Sequence, residues 1–249
     1  MPPSIVVLGI PIHAITPAET LAWIEAAVDA RGRRPPGPRQ ICTANPEFVM
    51  AAQHHPEFRR VLQHADLVLP DGVGLLWAAR WQGQRLPARV AGSDLINLIA
   101  GRAARQGWRV YFLGAQEGVA QRTAEVLQER YPGMQVAGAF AGSPRPEAEE
   151  AIGQRIRAAQ PDILLVAYGA PQQDLWIARN RGRLGVPVSI GVGGAFDFVA
   201  GVAQRAPRWL QRLGLEWLHR LWRQPWRIRR IFTAAVLFPL AVLRERRKA

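Results

Sequence analysis

The chain has 249 residues, of which 32 are Lys or Arg and 19 are Asp or Glu, giving a formal net charge of +13. With 49% hydrophobic and 20% charged residues, its composition is globular and excludes a disordered or fibrous chain. Its one cysteine, Cys42, excludes a disulfide framework and a cysteine-based zinc site. The first residues lack a basic segment followed by an apolar run and a cleavage site, so we expect no export.

The positive charge is concentrated in the last fifth of the chain. Residues 201–249 hold 12 basic and two acidic residues, a net charge of +10, whereas residues 1–200 carry only +3. The same segment contains four of the nine tryptophans. We therefore predict two parts: an α/β domain over residues 1–201 and a helical, Arg- and Trp-rich appendage over residues 202–249.

Short apolar runs alternate with longer amphipathic segments over residues 1–195. The runs are rich in Val, Ile and Leu, which is typical of strands buried on both faces. Strands are predicted at residues 4–10, 40–44, 66–70, 109–114, 135–140, 162–168 and 186–191. Helices are predicted from a capping sequence at Thr16 to about residue 30, and then over residues 93–107, 117–131, 146–160 and 172–184. This alternation predicts a doubly wound, mainly parallel, Rossmann-like sheet.

The basic appendage has two features of its own. Arg220, Arg223, Arg227 and Arg230 would share one face of a helix. Residues 231–243 form an apolar run that contains Pro239 and is too short for a bilayer, which needs about 20 residues. An apolar run bordered by Trp and Arg can lie in a membrane interface. A core helix packed on the domain is the alternative, and the sequence leaves both open.

Polar and glycine-rich residues follow five of the predicted strands, at residues 42–45, 70–74, 114–115, 168–173 and 191–194. In open α/β sheets, ligands bind beyond the carboxyl ends of the strands. The sequence therefore predicts a binding site built from these five strand ends.

Asp71 is the main catalytic candidate at these strand ends. It follows the strand predicted at residues 66–70 and precedes Gly72, which allows a ligand to approach the backbone closely. A general base needs such a position beside a substrate hydroxyl. The alternative is a plain Pro-Asp-Gly turn, which is a common combination.

Four further polar residues are candidates near these strand ends. Thr43 and Asn45 could hydrogen-bond a sugar or a base, or could cap a helix that starts at Pro46. Asp94 is most simply a first-turn helix residue. Asp197 could touch a ligand, but its aromatic neighbours make a packing role equally plausible.

Several familiar sites are not indicated. No Gly-x-Gly-x-x-Gly follows the first strand, and Lys248, the only lysine, is too near the carboxyl end to serve a phosphate-binding loop. No Asp-x-Asp occurs, so a metal-bridged glycosyltransferase is not indicated. The five histidines lack helical zinc-ligand spacing, and we interpret His54 and His55 as solvated residues at a helix boundary. We predict neither a metal site nor a cofactor.

The motifs are recognisable when they are taken together and in order. They are TANPEFV (43–49), PDGVG (70–74), RVAGSDL (89–95), GAPQQDLW (169–176), GVGGAFD (191–197) and RAP (205–207), followed by LEWL (215–218), RL (220–221) and PWR (225–227). This series resembles the bacterial WecG/TagA/CpsF glycosyltransferases over nearly the whole chain.

The resemblance implies an inverting, metal-independent transferase that uses a nucleotide sugar, usually linked to UDP. Donors in the family include UDP-N-acetylmannosamine, its uronic acid and UDP-glucose. The implied acceptor is a sugar on polyprenyl pyrophosphate, and the implied process is the synthesis of cell-surface polysaccharide. The expected location is cytoplasmic, peripheral on the inner face of the plasma membrane.

The resemblance also implies roles for individual residues. Asp71 would deprotonate the acceptor hydroxyl. Substrate-binding roles fall on Thr43, Asn45, Arg89, Gln173, Gly193, Arg220, Arg227 and Arg230. The three last arginines belong to the appendage, which is expected to close over the site and meet the membrane. The family often has Lys-Gln-Glu where this chain has Gln-Gln-Asp at residues 172–174, so only the central glutamine is retained.

The chemistry of the implied transfer also favours arginines in the site. Loss of UDP leaves negative charge on a diphosphate, and arginine can pair with the diphosphate oxygens in bidentate fashion. Two other classes remain open at this point. A nucleic-acid-binding protein is suggested by the charge of +13 and the basic, aromatic tail, although the apolar run suits that role poorly. A dinucleotide oxidoreductase is suggested by residues 191–194, although their glycine spacing is wrong. The sequence leaves open whether the chain forms a homo-oligomer.

Overall fold

A computed structural model describes residues 1–30, 37–204, 206–207, 210 and 228–246 of the protein. Two sheets are present in these ranges. The first is a hairpin of β1 (Ser4–Val7) and β2 (Ile10–His13). The second is a parallel sheet of β3 (Arg39–Ala44), β4 (Leu67–Pro70), β5 (Arg109–Gly114), β6 (Gln135–Phe140), β7 (Ile163–Ala167) and β8 (Val188–Gly191). Its strand order is β4-β3-β8-β7-β5-β6, so the predicted parallel α/β sheet is confirmed.

The hairpin corrects the prediction of one strand over residues 4–10. The chain reverses at Leu8 and Gly9, whose φ angles are 50° and 77°. Two successive positive φ angles are what a two-residue hairpin turn needs. Glycine indicates such a turn but leucine does not, so the apolar pattern predicted one continuous strand across the turn.

Nine helices flank the sheet in the described residues up to 204. They are α1 (Pro17–Asp29), α2 (Pro46–His54), α3 (Pro56–His64), α4 (Val73–Trp81), α5 (Gly92–Gln106), α6 (Val119–Arg130), α7 (Pro146–Ala159), α8 (Gln172–Leu184) and α9 (Ala195–Val199). The predicted cap of α1 is present: Glu19 N–H donates to Thr16 Oγ1 at 3.2 Å, and Thr16 N–H donates to Glu19 Oε2 at 2.8 Å.

Helices α3, α4 and α9 were not predicted. His55 caps α3, accepting a hydrogen bond at Nδ1 from the Phe58 N–H at 3.2 Å, and His54 ends α2. The two histidines therefore do lie at a helix boundary, as expected. Helix α4 begins after Gly72 with no side-chain cap, so it carries no start signal of the usual kind.

The sheet is covered on both faces, as a doubly wound fold requires. Helices α1, α5, α6 and α9 pack on one face with alternate strand residues such as Ile41 and Leu69. Helices α2, α3, α4, α7 and α8, together with the hairpin, pack on the other face with the intervening residues such as Cys42 and Val68. All of these strand residues are buried, in keeping with the predicted pattern of strands buried on both faces.

The carboxyl-terminal part of the described chain is one helical rod. It consists of α10 (Ile228–Phe232), a wider π-helical turn (Thr233–Leu237) and α11 (Phe238–Arg246). The π-helical turn ends two residues before Pro239, where a regular α-helix would press the proline ring against a carbonyl of the preceding turn. The helix therefore continues through a proline that the sequence alone marks as an interruption.

This rod packs on the hairpin side of the sheet. Phe238 and Val242 are each 1% exposed and join the apolar cluster that contains Val7. Near the end of the rod, Glu245 Oε2 accepts a hydrogen bond from Leu8 N–H at 3.2 Å. The alternative of a core helix packed on the domain thus describes one face of residues 231–243.

The opposite face of the rod is apolar and exposed. Its exposed side chains are Ile228, Phe232, Val236, Leu237, Leu240 and Leu243, and we call them the outer apolar stripe. Within the described parts of the chain, no helix has both the length and the apolar character needed to cross a membrane.

Candidate active site

A crevice opens where two neighbouring strands of the sheet end. The chain passes from β3 into α2 on one face of the sheet and from the neighbouring β8 into α9 on the other face. The two helices belong to apolar clusters on opposite faces. Such a divergence is where open α/β sheets bind ligands. A cavity of about 440 Å³ lies there, lined by the ends of β3, β4, β7 and β8 and by parts of α2, α4, α9 and the carboxyl-terminal rod.

Asp71 lines this cavity at the end of β4. Its N–H donates to Ala44 O at 2.7 Å, which ties it to the end of the adjacent strand β3. Its Oδ2 accepts a hydrogen bond at 3.1 Å from the N–H of Gly92, the first residue of α5. Because the first N–H groups of a helix have no partner within it, they suit a carboxylate oxygen as a hydrogen-bond acceptor. Asp71 therefore both forms the link between β4 and α4 and presents a half-buried carboxyl group to the cavity.

Thr43 and Asn45 line the same cavity from the end of β3. Thr43 is 3% exposed, and its Oγ1 donates to Gly191 O at 2.8 Å, which joins the ends of β3 and β8. Asn45 Oδ1 accepts from the Phe48 N–H at 3.1 Å, so the predicted helix cap at Pro46 is present. The cap uses only the amide oxygen of Asn45.

Gln173 lies one layer behind the cavity wall. It is fully buried on α8, and its Oε1 accepts a hydrogen bond at 2.9 Å from the N–H of Gly193, which lines the cavity. Gly193 has a φ of 56°, a left-handed conformation that favours glycine. The glutamine thus fixes the loop between β8 and α9 and acts on the cavity through the backbone of that loop.

Asp174 is a buried ionisable residue whose environment could not be predicted from local sequence patterns. It is 0% exposed, and burial raises its pKa to about 7, against the opposing effect of the Cys42 thiol and the Gln173 amide beside it. A Cβ on Gly191 would come within 2.6 Å of Gln173 Nε2 and 2.8 Å of Asp174 Oδ1, so both side chains press on β8. Asp174 occupies the third position of the Gln-Gln-Asp sequence, where the chain departs from the family pattern.

Two of the predicted arginines reach the cavity rim. Arg89 lines the cavity and lies 3.5 Å from Asp94, which is in the first turn of α5 as expected. Arg230, on the carboxyl-terminal rod, pairs through Nε with Glu47 Oε2 at 2.7 Å. Exposed ion pairs of this kind contribute at most about 1 kcal/mol, so an anionic ligand can replace the carboxylate. Arg220 and Arg227 lie outside the described residues.

Asp197, the remaining candidate from the sequence, lies beside this site. Asp197 is in α9, and its Oδ2 would lie 3.5 Å from a Cβ on Gly194; Phe196 is fully buried. Among the residues that the structure describes, no group of three or more His, Cys, Asp or Glu side chains is arranged to hold a metal ion.

Comparison with known proteins decides the family. The chain matches the Glycosyl transferase WecG/TagA/CpsF family over residues 5–249. The chain belongs to this family. It is therefore a glycosyltransferase, and the resemblance carried by the ordered motifs is confirmed.

Two curated relatives of this chain come from Bacillus. A protein of Bacillus spizizenii (strain ATCC 23059 / NRRL B-14472 / W23) is 35% identical over 209 residues, covering 84% of this chain and 80% of the relative. A protein of Bacillus subtilis (strain 168) is 35% identical over 205 residues, covering 82% and 79%. Both are named N-acetylglucosaminyldiphosphoundecaprenol N-acetyl-beta-D-mannosaminyltransferase.

Part of the cavity of this WecG/TagA/CpsF member was not predicted. Trp77 and Trp81 of α4 and Ile231, Ala234, Ala235 and Pro239 of the rod line its outer portion. Helix α4 itself was missed, and the rod comes from more than 140 residues further along the chain. The spacing of Trp77 and Trp81, four residues apart, was the one local signal for this wall.

Proposed function

We propose that this glycosyltransferase is inverting and transfers a sugar from a UDP-sugar to a sugar carried on polyprenyl pyrophosphate, in the synthesis of a cell-surface polysaccharide. The observation that carries the proposal is the Asp71 carboxyl group, which lines the cavity and is held by the Gly92 N–H at the start of α5. The names of the two Bacillus relatives support the acceptor class, a diphospholipid-linked N-acetylglucosamine.

In the proposed reaction, Asp71 is the general base. The acceptor hydroxyl oxygen forms a bond to C1 of the donor sugar while its proton moves to the Asp71 carboxylate. The bond between C1 and the diphosphate oxygen breaks, and its electron pair leaves with UDP. A single displacement of this kind inverts the configuration at C1.

The leaving diphosphate needs a cationic partner, and we propose that arginines supply it without a metal ion. Arg230 and Arg89 line the cavity within the described residues. Arginine pairs with phosphate oxygens in bidentate fashion, and its charge persists throughout the accessible pH range. The proposal includes Arg220 and Arg227, and the absence of an Asp-x-Asp sequence supports metal independence.

For the donor, we propose UDP-N-acetylmannosamine, because both Bacillus relatives are named as N-acetylmannosaminyltransferases. Its uronic acid and UDP-glucose are the alternatives that a donor screen distinguishes. Thr43, Asn45 and the Gly193 loop are the proposed walls around the donor, since all three border the cavity beside Asp71.

We also propose that residues 202–249 form an appendage that closes the site and attaches the enzyme peripherally to the inner face of the cytoplasmic membrane. Support comes from the outer apolar stripe, which lies on a rod that also carries Arg229, Arg244 and Arg246. Apolar side chains can enter the headgroup region while arginines meet anionic lipids.

A donor and acceptor screen tests the proposal. The purified full chain is incubated with each UDP-sugar and with N-acetylglucosamine-diphosphate linked to an isoprenoid, and the product is identified by mass and by its anomeric NMR coupling. We expect transfer of N-acetylmannosamine, inversion at C1 and full activity in EDTA. Failure of every donor would reject the transfer, a retained configuration would reject the single displacement, and loss of activity in EDTA would reject metal independence.

A matched pair of variants tests the role of Arg230. If Arg230 binds the diphosphate, Arg230→Ala lowers kcat/KM by about a hundredfold, as loss of a charge-assisted contact of 2–3 kcal/mol implies. Glu47→Gln breaks the same 2.7 Å ion pair but keeps the guanidinium group, so it retains most activity. Equal losses in the two variants would instead mean that Arg230 only tethers the rod to α2.

A further inference from the structure

The outer part of the cavity is an apolar groove between two helices. Trp77 and Trp81 lie on one face of α4, four residues apart, and form one wall. Ile231, Ala234, Ala235 and Pro239 of the rod form the other wall. We call this space, defined by these six residues, the inter-helix groove.

The small side chains of the rod keep this groove open. Ala234 and Ala235 lie within the π-helical turn, at the place where the rod faces the cavity. Wider turns of this kind recur at functional sites, because they change the direction in which a helix presents its side chains. Larger residues at the two alanines would fill the space that the groove now provides.

Close packing between helices forms the base of the groove and fixes its shape. A Cβ on Gly74 would come within 2.7 Å of Pro46 Cγ and 3.8 Å of Phe238 Cε1, so α4 meets both α2 and the rod there. Phe238 itself is 1% exposed. Above this contact, Trp77 lines the groove although its side chain is 45% exposed, so a large aromatic surface faces open space.

The cavity brings together surfaces of three kinds. The carboxyl group of Asp71 lies at the end of β4, and Trp77 and Trp81 lie further along α4, which begins two residues after Asp71. Arg230 lines the same cavity and immediately precedes Ile231, the first residue of the rod wall. A sugar-diphosphate-polyprenol carries three matching groups: a hydroxyl that must meet a base, two phosphates that attract a cation, and a hydrocarbon chain. The groups of the acceptor therefore match the surfaces that this cavity brings together.

We propose that the inter-helix groove binds the first isoprene units of the acceptor's polyprenyl chain, so that the enzyme recognises the lipid directly. This inference rests on the proposed function, because it assumes an acceptor of that class. Burial of hydrocarbon against Trp77 and the alanines supplies binding energy in proportion to the area removed from water. The outer apolar stripe lies on the same rod, so the remainder of the chain can continue from the groove towards the bilayer.

The test uses water-soluble acceptors that share an N-acetylglucosamine-diphosphate head and differ only in the chain. One chain is farnesyl, with three isoprene units, and the other is a short ethyl group, both below the concentration at which micelles form. For the wild type we expect KM to be about tenfold lower for the farnesyl acceptor, since tenfold corresponds to about 1.4 kcal/mol, a fraction of the hydrocarbon transfer energy. No membrane is present, so partition into a bilayer cannot produce the difference.

Two variants of the groove and one matched control complete the experiment. Trp77→Ala removes one wall, and Ala235→Leu fills the groove; in each we expect the two KM values to converge. Phe232→Ala is the control, because Phe232 lies on the same rod but is 52% exposed on its outer stripe. It should keep the wild-type ratio of KM values.

The outcomes separate the two proposals. Transfer to both acceptors with equal KM in the wild type would overturn the groove assignment and leave the proposed reaction standing. An equal loss of chain preference in Trp77→Ala and Phe232→Ala would also overturn it, because the effect would then not be specific to the groove. Transfer to neither acceptor with any UDP-sugar would overturn the proposed function itself.

Discussion

Strand β4 carries an aspartate at each end, and the two have opposite surroundings. Asp66, just before the strand, is 8% exposed; its Oδ1 is 2.6 Å from Arg39, and its Oδ2 is 3.0 Å from Arg181 and accepts from the Gln40 N–H at 2.9 Å. Asp71, just after the strand, accepts a hydrogen bond from a helix amino terminus and borders a cavity. The same residue type is enclosed by cations at one end and presented to a ligand space at the other.

The difference extends to charged groups away from the cavity and on its rim. Away from the cavity, Glu149 resembles Asp66: its side chain is 10% exposed and is held by Arg179 and Arg183 at 2.7 and 2.9 Å. At the cavity, the ion pairs of Arg89 and Arg230 lie on the rim and are partly open to water. Enclosed pairs hold elements together, whereas rim pairs can exchange a carboxylate for a phosphate.

The sharpest test of this contrast is Asp71→Asn. The amide cannot accept the acceptor's proton, so we expect kcat to fall by about a thousandfold, within the usual range for loss of a general base. Binding of the UDP-sugar should persist, as measured by calorimetry. The midpoint of urea unfolding is the control and should change little. Unchanged turnover would make Asp71 a turn residue only, and the contrast between the two ends of β4 would fail.

Asp66→Asn should give the reverse result. It leaves Arg39 and Arg181 beside a neutral amide, and we expect the free energy of unfolding to fall by about 2 kcal/mol, below the range for fully buried pairs because both arginines are about one-third exposed. The folded variant should keep its kcat. Asp162→Asn is a comparison of the same chemistry outside the cavity lining, where Asp162 accepts an exposed backbone hydrogen bond from the Arg109 N–H. A loss of kcat in Asp66→Asn without a loss of stability would contradict the division of roles.

Local patterns in the sequence predicted the parallel sheet, because strands buried on both faces are apolar throughout and their helices carry caps such as Thr16. They also placed Asp71, Thr43, Asn45 and the Gly193 loop at strand ends that converge on one cavity. These features depend on neighbouring residues, and local signals suffice for them.

The parts that the sequence missed depend on distant contacts or unusual turns. The Leu8–Gly9 turn has no glycine or asparagine at its first position, and α4 starts without a side-chain cap. The pairing of Arg230 with Glu47 joins residues 183 positions apart, and no local pattern encodes it. Of the two open interpretations of residues 231–243, packing on the domain describes the buried face of the rod, and the membrane-interface interpretation stays a prediction for the exposed face.

Asp174 offers a test at the boundary between the core and the site, because it is buried beside Gln173, which holds the Gly193 loop. Its pKa is about 7 in the folded protein, because of burial, against an ordinary value of 3.8. Between about pH 4 and pH 7 the folded protein holds a proton that the unfolded chain has lost. Stability should therefore fall as the pH rises through this window, by at most about 1.4 kcal/mol per pH unit, and the slope should end above pH 7.

Asp174→Asn removes this titration and keeps the shape of the protonated acid. We expect the difference in unfolding free energy between wild type and variant to change with pH in this window, in favour of the variant as the pH rises. Urea unfolding at four pH values from 4 to 8 measures it. A difference that stays constant across that range would mean that Asp174 is ionised in the folded protein as it is in the unfolded chain.

Asn45 lines the cavity and also has a structural role, and it gives the smallest expected effect. Its Oδ1 caps α2 at 3.1 Å, so Asn45→Ala should lower the free energy of unfolding by about 1 kcal/mol. Asn45→Ser keeps a capping oxygen but lacks the amide N–H groups, and its stability should stay within a few tenths of a kcal/mol of the wild type.

Activity then separates the two roles of Asn45. If the amide N–H groups contact the sugar, Asn45→Ser loses about tenfold in kcat/KM, the cost of about one hydrogen bond, while remaining as stable as the wild type. If kcat/KM is unchanged in Asn45→Ser, the residue is a helix cap alone. In that case the carboxyl end of the sheet, like the amino end, contains polar side chains that serve only the fold, and the division between the two ends would hold for the carboxylates but not for every polar group.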